Sequence, residues 1–367
     1  MPRTPLALPG YPWDALGPHA ARARAHPEGI VDLSIGSPVD ETPALVRGAL
    51  AAATDAHAYP LTAGSPALRE AIVAWFADRR GVTGLGVQNV IPTIGSKELV
   101  AMLPLMLGVR AGDTVVHPLL AYPTYAIGAA IAGADAFASD DPAEWPDSTA
   151  LVWVNSPANP DGTVRDAGWL RAALARAREL GAVIAGDECY AELVWSGDGS
   201  PACSILDPRV VGDDRSGVLA VYSLSKQSNL AGYRAGIVAG CSELVGELLE
   251  VRKHAGLIPP APVQRAMIAA LGDHGHVAAQ RERYAARRRV LRAALEGAGF
   301  RIDASEGGLY LWASRDEDCW RTVAALAELG ILVGPGSFYG ASGSRHVRVA
   351  LTAADAQVAA AAERLAR

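Results

Sequence analysis

Cysteine is scarce in this 367-residue chain. Its four thiols, Cys189, Cys203, Cys241 and Cys319, are widely spaced and form no C-x-x-C pair. Neither a disulfide framework nor a thiolate zinc site is therefore expected, and a reducing cytoplasm is the expected compartment. The histidines include no H-x-x-x-H pair, and no metal is expected. Long apolar runs are missing too: the longest, Leu99 to Val109, contains Pro104 and Gly108 and is too short to cross a bilayer. Met1 to Trp13 is rich in proline and lacks the charged-then-apolar pattern of a secretory leader. Nor is there an excess of positive charge. The 33 Lys and Arg against 39 Asp and Glu leave a formal charge of -6 without a basic arm, which argues against a nucleic-acid partner. What remains is an ordinary globular profile, half apolar and a fifth charged, in a chain long enough for two lobes.

The densest chemistry lies in Ser223-Leu224-Ser225-Lys226, continuing to Gly232-Tyr233-Arg234-Ala235-Gly236. The apolar run Val218 to Tyr222 reads as a buried strand, so Lys226 falls just past a strand end. Ser and Arg are fixed donors to a phosphate dianion. A lysine held near cations and partly desolvated is driven toward its neutral form, which condenses with an aldehyde. Alone, a lysine of this kind is most often a solvated surface charge. A second stretch, Ala182 to Asp187, is an apolar strand that ends in a carboxylate, with Tyr190 following. Such an Asp sits at the carboxyl edge of a parallel sheet, where open α/β sheets bind ligands, and if buried it needs a cationic partner. A helix cap and a core aromatic are the plainer readings of Asp187 and Tyr190.

Other segments supply further parts. Asn89 to Thr93 reads as a strand, and Gly95-Ser96-Lys97-Glu98 opens the apolar helix Leu99 to Leu107. A strand, a small-residue turn and a helix start make an anion site, although a simple capped helix has the same sequence. Tyr122 follows the strand Asp113 to His117 and is either a stacking ring or a core residue. Asn155 to Gly162, after the strand Ala150 to Val154, is a turn signal that includes Asn159. Gly36 lies in a Gly-Ser-Pro turn after the short strand beginning at Ile30. Tyr59 precedes Ser65, a helix N-cap, and Pro66, the first residue of a helix to Arg80. Beyond Leu244 to His254, helices at Val263 to Leu271 and His276 to Gly297 lead into an α+β set of strands at Phe300, Gly308 to Trp312, Ile331 to Val333 and His346 to Leu351, with helices Trp320 to Leu329 and Ala353 to Leu365. Arg348 alternates with Val347 and Val349, as an outward strand charge or as a fork for a carboxylate.

In their order and spacing, from Gly36 to Arg348, these segments resemble the class I/II aminotransferases of fold type I, enzymes of pyridoxal 5′-phosphate (PLP). The resemblance implies an α/β fold with a large, mostly parallel sheet domain sandwiched by helices and a smaller α+β carboxyl-terminal domain. The implied division is an arm at 1–28, packing on the small domain or a partner subunit, a large domain at 29–253 and a small one at 254–367. It implies that Lys226 bonds to the cofactor aldehyde and then moves the substrate α-proton, with Asp187 on the ring nitrogen and Tyr190 and Asn159 on the phenolic oxygen. Tyr122 would lie on the ring face. Gly95, Ser96, Lys97, Ser223, Ser225 and Arg234 would hold the phosphate, joined across a homodimer by Tyr59. Gly36, Asn159 and Arg348 would take the substrate. Gly308-Leu309-Tyr310-Leu311-Trp312 and the compact length look most like the actinobacterial succinyldiaminopimelate aminotransferases of lysine biosynthesis, which use glutamate as donor. An aspartate or aromatic aminotransferase, or a PLP-dependent C–S lyase, would share the lysine segment. A DNA-binding regulator is not expected, since the proline-rich arm is too short for such a domain.

Overall fold

The computed structural model describes residues 8–197 and 199–367; the first seven residues of the expected arm lie outside them. Its strands are β1 (Val31–Leu33), β2 (Val90–Ile94), β3 (Thr114–His117), β4 (Asp135–Ala138), β5 (Thr149–Asn155), β6 (Val183–Asp187), β7 (Val218–Ser223), β8 (Ala235–Gly240), β9 (Arg301–Asp303), β10 (Tyr310–Ser314), β11 (Ile331–Pro335) and β12 (His346–Ala350). Seven form one sheet in the order β2-β8-β7-β6-β5-β3-β4. The run from β7 to β4 is parallel, and β8 alone runs against its two neighbours. Helices cover both faces, which is why β7 and β8 are apolar without alternation and buried along their whole length.

The second sheet has the order β1-β11-β12-β10-β9. Here the expected boundary at residue 29 needs correcting. β1 does not belong with the large sheet but pairs in parallel with β11, Val31 opposite Ile331 and Leu33 opposite Val333. Its alternating burial puts Val31 and Leu33 into the small-lobe core, so hydrophobic fit to a strand 300 positions away outweighs nearness in sequence. The boundary at 254 shifts as well. The helix Ala261–Leu271 buries Ala266, Met267 and Ala270 in the large-lobe core, and Gln264 Oε1 accepts from Ser65 N at 2.9 Å.

Local signals explain most helix ends. Ser65 caps Pro66–Arg80 by accepting from Leu68 N, and Gly81 ends that helix in the left-handed region. The arm forms a helix at Gly17–Arg24, and Leu16, Ala20 and Ala23 are buried against the small lobe. Trp13 packs on Phe338, with ring centroids 5.3 Å apart.

One buried ion pair braces the loop after β6. Arg80 Nη2 reaches Glu188 Oε2 at 2.8 Å, and both side chains are almost fully out of water. Glu188 also accepts from Ser204 Oγ and Ile205 N at 2.8 and 2.7 Å. Removing one member of such a pair strands the other charge, at a cost of roughly 3–5 kcal/mol. Arg80→Met is therefore expected to lower the thermal unfolding temperature by several degrees and to loosen the Asp187 loop. An unchanged melting temperature in calorimetry would refute this role.

Candidate active site

β5, β6 and β7 end side by side, with Asn155 paired to Asp187 and Asp187 to Val221, and this carboxyl edge assembles the site. Asp187 is buried. Its Oδ2 accepts from Tyr125 Oη at 2.9 Å and its Oδ1 from Cys189 N at 3.3 Å. Among the described residues it has no cationic partner, and burial raises its pKa above the usual carboxylate value. Tyr125 is in turn backed by Trp153, stacked at 5.1 Å.

Past the end of β7, Lys226 Nζ donates to the carbonyl of Gly36, a residue that follows β1. Burial lowers the pKa of this amine. The loop after β5 brings in Asn159, whose backbone N donates to Asn155 Oδ1 at 2.8 Å and whose Oδ1 accepts from Arg348 Nη1 at 2.7 Å. That leaves the amide nitrogen of the Asn159 side chain as the end free to donate. Arg348, on β12, is buried and has no carboxylate partner among the described residues. Its Nη2 donates to Ser34 O at 2.8 Å, and its guanidinium lies 3.8 Å from the centre of the Tyr310 ring and 4.8 Å from that of Tyr339. Tyr190 Oη stands 3.3 Å from Tyr310 Oη, and burial pushes the Tyr190 phenol up.

A cradle for an anion closes the other end. Gly95 starts the helix Gly95–Met106 with a φ of +71° and packs against the Arg234 guanidinium, which a Cβ at Gly95 would strike. A Cβ at Gly236 would lie 2.9 Å from Ser96 N and 2.7 Å from Gly95 C, so a side chain there would push the helix start off β8. Ser223 Oγ and Ser225 Oγ are 2.9 Å apart. Glu98, in the first turn, would oppose an anion, but Arg252 grips it with bonds of 2.8 and 3.1 Å. The helix N-terminus thus stays positive. Arg234 is exposed and has no carboxylate partner among the described residues.

Lys97 is exposed on the same turn, its Nζ 5.7 Å from the Tyr11 ring centre and 5.9 Å from that of Tyr122. Tyr122 meets Tyr125 edge-on at 6.0 Å, and burial pushes its phenol up to about 12. Of the sequence-predicted residues Tyr59 alone stands apart, fully exposed at 100% and outside the cluster within one chain. Tyr125, Tyr310, Tyr339 and the Ser34 carbonyl were not foreseen. They reach the site through strand register and helix packing, and no local motif marks them.

The donor set fits PLP. A buried carboxylate without a cation suits a pyridinium, a helix start flanked by Arg234 and two serines suits a phosphate dianion, and a desolvated amine suits an aldehyde.

The comparisons agree. The family model "Aminotransferase class I and II" matches residues 28–365. The 4-dedimethylamino-4-oxo-anhydrotetracycline transaminase OxyQ of Streptomyces rimosus is 56% identical over 359 residues, covering 98% of this chain and 99% of that protein. "Probable aminotransferase Rv1178" of Mycobacterium tuberculosis is 54% identical, covering 98% and 85%. Among solved structures, an aminotransferase from Neisseria meningitidis superposes with a TM-score of 0.88 at 31% identity, covering 98% and 96%. A structure from Thermus thermophilus titled as a probable N-succinyldiaminopimelate aminotransferase gives 0.87 at 28%, covering 97% and 99%. Neither OxyQ nor Rv1178 carries the finer name the sequence suggested. With the cradle, the amine and the carboxylate on one sheet edge, this chain belongs to the class I and II aminotransferases, enzymes of pyridoxal phosphate.

Proposed function

We propose that this enzyme transfers an amino group from glutamate to a keto acid that carries a second, distant acidic group, N-succinyl-2-amino-6-oxopimelate being the acceptor that best fits. The reading rests chiefly on Arg348, a buried guanidinium that lacks a carboxylate partner among the described residues. A cation of that kind is costly unless a substrate carboxylate completes it. Lys97, exposed on the helix start, offers a second cation for a distal acid.

When bound, PLP supplies an aldehyde for an amine and a ring that accepts electrons. The chain's residues do the rest. Asp187 would keep the ring nitrogen protonated, each unit of pKa shift being worth about 1.4 kcal/mol. Asn159 and Tyr190 would donate to the phenolic oxygen, and Tyr122 would cover the ring. Gly95, Ser96, Lys97, Ser223, Ser225 and Arg234 would hold the phosphate end. Arg348 and Asn159, with the backbone at Gly36, would orient the substrate so that Lys226 Nζ, whose pKa burial lowers, could take the proton from its Cα. In a cytoplasmic homodimer, the exposed Tyr59 would reach the partner's phosphate.

A second reading has its own support. OxyQ is named for an acceptor of another kind, 4-dedimethylamino-4-oxo-anhydrotetracycline. Here Tyr11 stacks on Trp13 at 5.5 Å and faces Tyr122 across Lys97, an aromatic mouth that suits a flat acceptor.

The first test is optical. Glutamate added to the yellow holoenzyme should bleach the visible band, and addition of the right keto acid should restore it. No spectral change with any amino donor would sink transamination. Restoration by a polycyclic ketone but by no dicarboxylic keto acid would select the second reading. Lys97→Ala is expected to raise KM for glutamate about tenfold and to leave that for alanine nearly unchanged. An equal KM for glutamate in variant and parent removes Lys97 from substrate binding. Asp187→Ala should slow the glutamate half-reaction by roughly a hundredfold or more, about 3 kcal/mol of barrier; stopped-flow rates within a factor of three would discard the ring-nitrogen role.

A further inference from the structure

A stripe of polar side chains on the long helix Gly275–Gly297 has no part in the motifs that located the site, yet it holds two of the segments that build it. His276, Gln280, Tyr284 and Arg287 recur at intervals of four, four and three residues and so share one face of the helix. On the loop after Lys226, Ser228 Oγ stands 2.8 Å from His276 Nε2, whose other ring nitrogen is 2.6 Å from Asp273 Oδ2. Next along that loop, Asn229 Nδ2 donates to Gln280 Oε1 at 3.0 Å, and Asn229 Oδ1 accepts from Tyr284 Oη at 3.4 Å. On the segment after β1, Asp40 Oδ2 accepts from Gln280 Nε2 at 2.7 Å, and Arg287 grips both oxygens of the same carboxylate at 2.8 and 2.6 Å.

Of these four side chains, Gln280 alone bonds to both segments. It is 4% exposed, and each end of its amide is used. An ionised carboxylate only accepts and an ammonium only donates, so a carboxamide is the side chain suited to both bonds. Asn229 stands three residues past Lys226 and takes a left-handed φ of 54°, which asparagine tolerates and most residues resist. Its Nδ2 also donates to Glu41 O at 3.2 Å, and Thr42 Oγ1 donates to Asn229 O at 3.1 Å. Asp40 stands four residues past Gly36, whose carbonyl accepts from Lys226 Nζ. The contacts therefore close a ring: from Lys226 to Gly36, along the chain to Asp40, through Gln280 to Asn229, and back along the chain to Lys226.

We propose that Gln280 is a positioning residue of the transamination site, fixing where Lys226 Nζ stands relative to Gly36 by tying the loop after the lysine to the segment after the glycine. It acts through Lys226, so the inference rests on the reading of that amine as the group that moves the proton. Arg287 holds Asp40 in a two-bond fork, which gives the tie a firm end. A reacting group displaced by about 1 Å loses up to about a hundredfold in rate. The grip of Arg348 on a substrate does not pass through Gln280.

Gln280→Leu keeps the bulk and removes both bonds. Asn229→Gly removes the loop's half of the contact and leaves the left-handed backbone free of strain. In the full chain freed of cofactor, hydrogen exchange read by mass spectrometry should show the amides of 226–230 and 36–42 opening about tenfold faster in Gln280→Leu, with the strands of both sheets unchanged. In the holoenzyme, the maximal rate of the glutamate half-reaction should fall about ten- to thirtyfold in that variant, with KM for glutamate within about twofold. Asn229→Gly should behave alike, and the double variant should be within about twofold of the slower single one, because both changes break the same tie. Losses that multiply in the double variant, exchange at 226–230 equal to that of the parent, or a defect carried wholly by KM overturns the proposal. Failure of the transamination reading would show instead as a parent enzyme that reacts with no amino donor, whereas the exchange needs neither cofactor nor substrate.

Discussion

A carboxylate kept out of water by hydroxyl and amide donors, with no cation beside it among the described residues, is the constraint on which the rest of the site depends. Asp187 sits at the end of β6 between two parallel strands, backed by Tyr125 and, behind that, by Trp153. Such burial is expensive, and the expense persists until a positive group arrives from outside the chain. Arg348 is its counterpart of opposite sign, stacked between two tyrosine rings and bonded only to neutral oxygens. The two charges do not cancel each other, because Lys226, Tyr190 and Tyr310 lie among them. The protein is in this sense complete only with cofactor and substrate bound.

The cradle at the other end shows how the scaffold clears space for a dianion. Glu98 lies where a negative charge would repel a phosphate, and Arg252, fully buried, removes that charge from play by gripping both of its oxygens. Gly236 contributes by having no side chain, which lets β8 touch the first turn of the Gly95–Met106 helix. These are second-layer contacts, and they explain why the small residues of the lysine segment are needed where they stand.

Much of this was legible in the chain itself. β5 to β7 fall within a residue or two of the expected strands, since uninterrupted apolar runs bounded by polar turns are unambiguous when they are short and β-branched. Asp187 could be found because it closes such a run, Lys226 and Asn159 because they lie just past the end of one, and Arg234 because it follows the lysine at a fixed spacing. β4 escaped notice because its Asp-Ala-Phe-Ala sequence is an exposed edge strand with no alternation. β1 was placed in the wrong sheet, since its partner is set by register with β11 and not by any nearby turn. Tyr310 and Tyr125 were unreadable for a related reason: a tyrosine within an apolar segment looks the same whether its hydroxyl meets a carboxylate, a lysine or only packing atoms.

The transfer of β1 to the smaller sheet has a mechanical corollary. Ser34 and Gly36 leave that strand, Tyr310 lies on β10 and Arg348 on β12, so of the residues proposed to orient a substrate only Asn159 and Lys97 come from the larger sheet's side. Asp187, Ser223, Lys226 and Arg234 lie on that larger side as well. The two halves of the site are stitched together by the bonds from Lys226 to the Gly36 carbonyl and from Arg348 to Asn159, so a substitution that shifts either sheet is felt at once by the other.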